Sequence, residues 1–135
     1  MRIVVGFIRS PEGDAALARA VEEARLRDAE LVVVHSMRGG ERDEGKQVAA
    51  YTEAFKALDG KLADEGIRYK LADYVRGNSP SEDLLQTAEE EDADLIVIGM
   101  RRRSPVGKLV MGSNAQEILL QSNRPVLAVK ATKET

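Results

Sequence analysis

Four short apolar runs, separated by helical periodicity, restrict this chain to few architectures. They are Ile3–Ile8, Leu31–His35, Leu95–Gly99 and Pro125–Val129. Three of them are rich in Val and Ile and show no polar alternation. A strand with one wet face alternates. A continuous run belongs to a strand covered on both faces, as in a parallel sheet flanked by helices. A fifth, more polar strand is predicted around Arg68–Tyr74, where Tyr69, Leu71 and Asp73 alternate with Lys70, Ala72 and Tyr74. That polarity suits a sheet edge.

Helical stripes fill the gaps. Leu17, Ala20, Val21 and Ala24 recur at i, i+3, i+4, i+7. Tyr51, Phe55, Leu58 and Leu62 form a second stripe, Leu84, Leu85 and Ala88 a third, and Ala115, Ile118 and Leu119 a fourth. Ser10-Pro11 puts a capping side chain before a proline at the first helical position. Ser79-Pro80-Ser81-Glu82 repeats this and adds a capping box, and Ser113-Asn114-Ala115-Gln116 reads as a third box-like start. The order is β-α-β-α-β-α-β-α-β. With right-handed crossovers it gives an α/β fold: a doubly wound, mostly parallel five-stranded sheet with helices on both faces, flavodoxin- or Rossmann-like. The 135 residues suit one domain, 1–135. Met37–Lys46 is the least regular stretch, and Lys130–Thr135 reads as a frayed end.

Composition narrows the function. The chain is 43% hydrophobic and 32% charged, which argues against disorder. There is no cysteine, so disulfides and thiolate metal sites are excluded. A net charge of −3 and 4% aromatic residues speak against nucleic-acid binding. No apolar run reaches membrane-spanning length, and the chain opens directly on the strand-like Arg2-Ile3-Val4-Val5. No membrane association and a cytoplasmic location are expected.

In open α/β sheets ligands bind beyond the carboxyl ends of the strands. The ends here are Gly6–Ser10, His35–Arg38 and Gly99–Ser113. The segment Asp94–Asn114 is the richest. A buried strand ends in Gly99, a cationic stretch with Arg101, Arg102 and Arg103 follows, and Gly112-Ser113 opens a helix. Unpaired N–H groups at a helix start attract an anion, and glycine lets it come close. The first strand lacks a Gly-x-Gly-x-x-Gly turn, and Gly107-Lys108 is followed by Leu109, so there is no P-loop. His35 is the sole histidine; a satisfied buried imidazole suits it better than metal ligation. The run Glu89-Glu90-Glu91-Asp92 reads as a solvated helix end. Tyr51 and Phe55 are spaced as core or dimer contacts.

These residues carry a resemblance. Over its whole length the chain resembles a single-domain, bacterial-type member of the universal stress protein family. The likeness rests on the element order, on Asp94-Leu-Ile-Val-Ile-Gly99, on Gly112-Ser113 and on Arg124-Pro-Val-Leu-Ala-Val129. It implies sheet order 3-2-1-4-5 and dimerisation through the last strand. The ATP-binding branch of the family carries Gly-x2-Gly-x9-Gly-[Ser/Thr]. Gly99 matches its first glycine, Gly112 its third and Ser113 its hydroxyl, while Arg102 stands at the second. Where that branch places an aspartate after strand 1, this chain has Ile8, followed by Arg9-Ser10.

Two function classes follow. The first is a stress-response or signalling module that binds an adenine nucleotide, ATP (with Mg) or AMP, across the ends of strands 1 and 4. Gly99, Gly112, Ser113 and Asn114 would receive phosphate, Arg101–Arg103 would supply charge, and Ile8 with Ser36 would floor the adenine. The second is a nucleotide-free dimeric adaptor working through protein contacts, favoured by Arg102 and Ile8. No paired catalytic groups are present, so an enzyme is not expected. A homodimer through Val126–Val129 would remove an apolar sheet edge.

Overall fold

The computed structural model describes residues 1–37, 44–75, 77–102, 109–110 and 112–131. In chain order the elements are β1 (Arg2–Gly6), α1 (Pro11–Arg27), β2 (Glu30–Met37), α2 (Glu44–Asp64), β3 (Tyr69–Val75), α3 (Pro80–Glu90), β4 (Leu95–Arg102), β5 (Leu109–Val110), α4 (Ser113–Gln121) and β6 (Val126–Lys130). Five strands run parallel in the order β3-β2-β1-β4-β6. This is the expected doubly wound sheet of order 3-2-1-4-5. The two-residue β5, which periodicity did not reveal, pairs antiparallel with the tip of β4, Arg101 opposite Val110 and Arg102 opposite Leu109.

The continuity of the apolar runs has a simple cause. Alternate residues of each inner strand serve opposite cores. Ile3, Val5, Leu31, Val33 and Val97 pack on Ala16, Ala20 and Ala24 of α1 and on Phe55, Leu58 and Leu62 of α2. Val4, Val32, Ile96 and Ile98 pack on Leu84 and Ala88 of α3 and Ile118 of α4. The outer strand β3 is only partly buried, and both its faces pack, Tyr69 and Leu71 on the first core and Ala72 and Tyr74 on the second, so the alternation expected of an edge strand is incomplete.

Caps fix where the helices begin. The Ser10 hydroxyl accepts the Gly13 N–H at 3.0 Å, with Pro11 in the first turn. Ser79 and Glu82 form the capping box, at 3.2 and 2.8 Å. The third box does not form. Gly112, not Ser113, is the N-cap of α4, and no side chain caps that helix. Ser113 is already inside the first turn, where its hydroxyl cannot take the N-cap's role.

Three boundaries differ from expectation. β1 stops at Gly6, although Phe7 still donates to the Val34 carbonyl at 2.7 Å. β4 runs on to Arg102, so Arg101 and Arg102 lie in a strand rather than a loop. Of the supposed frayed end, Lys130 closes β6, and buried Ala131 donates to the Met100 carbonyl at 2.9 Å. The acidic run also proves structural. Glu89 and Asp92 grip Arg124 at 3.2 and 2.8 Å, and Glu91 takes Lys70 at 2.8 Å. These pairs tie α3 and its turn to the chain entering β6 and to β3. Of the irregular stretch Met37–Lys46, residues 38–43 lie outside the described residues.

Candidate functional site

The carboxyl ends of β1, β2 and β4 meet the starts of α1, α3 and α4. Two glycines let α1 sit down on this edge. A Cβ at Gly13 would collide with the carbonyl of Ile8, and one at Gly99 with the carbonyl of Glu12. Gly99 therefore serves the approach of α1 to β4. Residues two apart on a strand share a face, so Arg101 follows Gly99 toward α1. Its Nε donates to Glu12 Oε2 at 3.1 Å. The Glu12 side chain is 14% exposed and that of Arg101 61%. A hydrogen bond from Ser10 and then the Arg101 guanidinium hold the Glu12 carboxyl below its ordinary value, against the burial that would raise it.

The α3 side is equally committed. Asp83, in the first turn of α3, is fully buried. Ser36 Oγ donates to it at 2.5 Å and Asn78 Nδ2 at 2.9 Å. Asn114 Oδ1 accepts the Ser81 N–H at 3.3 Å, and Ser81 Oγ donates to Glu117 at 2.7 Å. Asn114 and Glu117 thus hold the start of α3 beside the start of α4.

The starts of α1, α3 and α4 differ in charge. α1 carries Glu12 and Asp14 in its first turn, and α3 carries Glu82 and Asp83. α4 carries no acid there and has no side-chain cap. Gly112 is exposed, and a Cβ there would meet no described atom within 4 Å. A helix start of this kind, with its first N–H groups uncapped by side chains, is the sort that attracts an anion.

Beside this edge lies an aromatic cluster. His35 stacks on Tyr51 at 4.4 Å between centroids, and Phe7 and Phe55 approach at 6.1 and 5.7 Å. His35 is 4% exposed. Its Nδ1 is 2.7 Å from Asp73 Oδ1, while Nε2 has no partner among the described residues. The imidazole is buried as expected, with one of its two ring nitrogens partnered among the described residues. Arg9 lies 5.8 Å from the Tyr51 ring centroid. Tyr51 and Phe55 are core contacts, one of the two roles their spacing allowed.

The candidate residues therefore divide. Gly112, Ser113 and Asn114 open α4; Ile8 follows β1 and is 47% exposed; Ser36 lies on the neighbouring strand. Gly99 is occupied by α1, Arg101 by Glu12, Ser36 by Asp83 and Asn114 by Ser81. Arg102 pairs with Leu109 in backbone register, and Arg103 lies outside the described residues. Glu12 and Asp83 escaped sequence reasoning, because an acid in a helix's first turn is expected for the dipole alone. Nothing local marks it as the partner of a residue about ninety positions away in the chain.

A cleft of about 480 Å³ lies elsewhere, between α2 and β3, lined by Phe55, Lys56, Asp59, Tyr69, Leu71 and Asp73. Two carboxylates make it a poor seat for phosphate. Among the described residues no group of three or more His, Cys, Asp or Glu could hold a metal, and no helix is long and apolar enough to cross a membrane.

Comparison with known proteins agrees with this fold. The sequence profile of the universal stress protein family matches residues 1–130. The chain belongs to the universal stress protein family. It is 40% identical to a universal stress protein of Mycolicibacterium smegmatis, over 95% of this chain and 96% of that one. A universal stress protein of Archaeoglobus fulgidus has the same fold, with a TM-score of 0.83 and 39% identity, covering 96% of this chain and 98% of its own. A structure of the universal stress protein from the same organism in complex with dAMP matches with a TM-score of 0.76 and 34% identity, over 96% and 98%.

Proposed function

We propose that this universal stress protein is a stress-response or signalling module that binds an adenine nucleotide at the carboxyl ends of β1 and β4. The observation that carries the reading is the start of α4. It is the described helix start at this edge with neither an acid in its first turn nor a side-chain cap, and exposed Gly112 leaves room before it. The 34% identical A. fulgidus protein in complex with dAMP supports the nucleotide class. Phosphate accepts the N–H groups of Ser113 and its neighbours, and the base lies toward Ile8 and Ser36. Among the described residues at this edge, Glu12 is taken by Arg101 and Asp83 by Ser36, and the proposed function is binding rather than turnover. Mg, where present, is proposed to accompany ATP.

The test is calorimetric titration of the protein and of Gly112→Val with AMP and with Mg-ATP. Saturable micromolar binding, weakened at least roughly tenfold by the valine, is expected. Equal binding by both proteins would remove the phosphate from α4.

A second reading has its own observation. Arg101, Ser36 and Asn114 are each held by a partner within the chain. An adaptor without nucleotide needs no free side chains there. No binding of AMP or Mg-ATP at millimolar ligand would favour it. Either module is proposed to act as a homodimer through the open edge of β6.

A further inference from the structure

We propose that the cleft between α2 and β3 binds a linear aliphatic diamine, one ammonium group at Asp73 and the other at Asp59. The site is separate from the nucleotide edge and does not depend on it.

Two periodicities build this cleft of about 480 Å³. Thr52, Phe55, Lys56 and Asp59 recur at i, i+3, i+4 and i+7, so they share one face of α2. Tyr69, Leu71 and Asp73 recur at every second residue and share one face of β3. The middle is apolar, since Phe55 and Leu71 belong to one core cluster. The two acids stand at opposite ends of it. The Tyr69 hydroxyl donates to Asp59 Oδ1 at 2.6 Å and to the Asp59 carbonyl at 2.9 Å, which fixes Asp59 at the Tyr69 end. Asp73 lies further along β3, about 13 Å from Tyr69 at the rise of an extended strand.

Each acid keeps room for a ligand. A carboxylate accepts up to about four hydrogen bonds. Buried His35 holds Asp73 from behind, with Nδ1 2.7 Å from Oδ1, yet the Asp73 side chain stays 45% exposed. The imidazole orients this carboxylate without covering it. A compact cation reaches one end of such a cleft. An unbranched five-carbon diamine, with a hydrogen bond at each end, spans about 13 Å. Its methylenes lie over Phe55 and Leu71 while its ammonium groups meet the acids. Lys56 opposes this ligand from the same face of α2, but it is exposed and its flexible stem can turn to solvent. The acids have no such freedom, because Tyr69 and His35 hold them.

The experiment titrates cadaverine and n-pentylamine, at low salt, into the wild type, Asp73→Asn, Asp59→Asn and Lys56→Gln. Cadaverine is expected to bind the wild type saturably below millimolar, at least roughly tenfold more tightly than the monoamine. Each Asp→Asn change weakens cadaverine roughly tenfold and removes its advantage over n-pentylamine. Lys56→Gln removes a like charge and tightens cadaverine roughly threefold. Asp59 and Lys56 are exposed, and asparagine keeps an acceptor for Tyr69, so these two arms stand even where Asp73→Asn fails to fold. Equal binding of the two amines by the wild type overturns the proposal. So does a cadaverine affinity unchanged within about twofold in Asp59→Asn. No saturable binding of cadaverine at millimolar concentration overturns it as well and leaves the nucleotide reading untouched.

Discussion

At the residue scale, two glycines of one motif do different work. Gly99 sits under the Glu12 carbonyl, so a methyl group there forces α1 away from β4. Gly99→Ala is expected to cost about 2 kcal/mol or more in urea unfolding. A Cβ at Gly112 meets no described atom within 4 Å, and its backbone angle (φ −68) is one any residue adopts, so Gly112→Ala should change stability by less than about 0.5 kcal/mol. Comparable losses for the two variants would show that the contact at Gly99 is not tight. Glu23 is a second residue-scale case. It is 4% exposed and bonded by Arg27 and Arg19 at 2.8 and 3.0 Å. These arginines, Arg27 foremost, hold its carboxyl below the ordinary value. A depressed carboxyl contributes stability that is fully present above its unfolded pKa and is lost as pH falls through its folded one. Glu23→Gln should therefore destabilise at neutral pH and match the wild type once acid has neutralised Glu23. An equal deficit at every pH would assign the loss to packing instead.

At the element scale, helix starts and sheet edges decide the behaviour. The capping box of α3 satisfies two N–H groups at once, and Ser79→Ala is expected to cost about 1 kcal/mol in thermal or chemical unfolding. This box was legible in sequence because its four residues are contiguous. The box at Ser113 was equally legible and did not form, because the helix began one residue early, at Gly112. Local patterns fix chemistry better than they fix phase. The β6 edge follows similar logic. Pro125 accepts from Ile96 and Ala131 donates to Met100, so by the strand's two-residue period the N–H groups of Val126, Ala128 and Lys130 face away from β4. Exposed Ala128 is thus the place to break edge pairing without touching the core. Ala128→Pro should convert dimers to monomers in sedimentation while leaving the fold intact. A persistent dimer would place the interface off this edge.

At the scale of the whole molecule, the buried strands of a doubly wound parallel sheet could be read in advance, because inner parallel strands write burial directly into continuous Val and Ile runs, while the strand order 3-2-1-4-5 was implied by the family resemblance. The site could be read only in outline. Gly112-Ser113 marked the helix start. That Arg101 belongs to Glu12, Ser36 to Asp83 and Asn114 to Ser81 depends on contacts between positions 33 to 89 apart. No periodicity encodes such partners. They also change the meaning of the residues: a cationic stretch on paper is, at Arg101, a paired one in the fold. The proposed nucleotide site therefore rests on the start of α4, with Arg101 already paired. The most direct measurement is a ¹⁵N NMR titration of the wild-type protein with AMP. The account predicts saturable shifts concentrated at the amides of Gly112, Ser113 and Asn114, with smaller ones at Phe7, Ile8 and Ser36. Shifts confined to the cleft of Phe55, Tyr69, Leu71 and Asp73, or none at millimolar AMP, would contradict it.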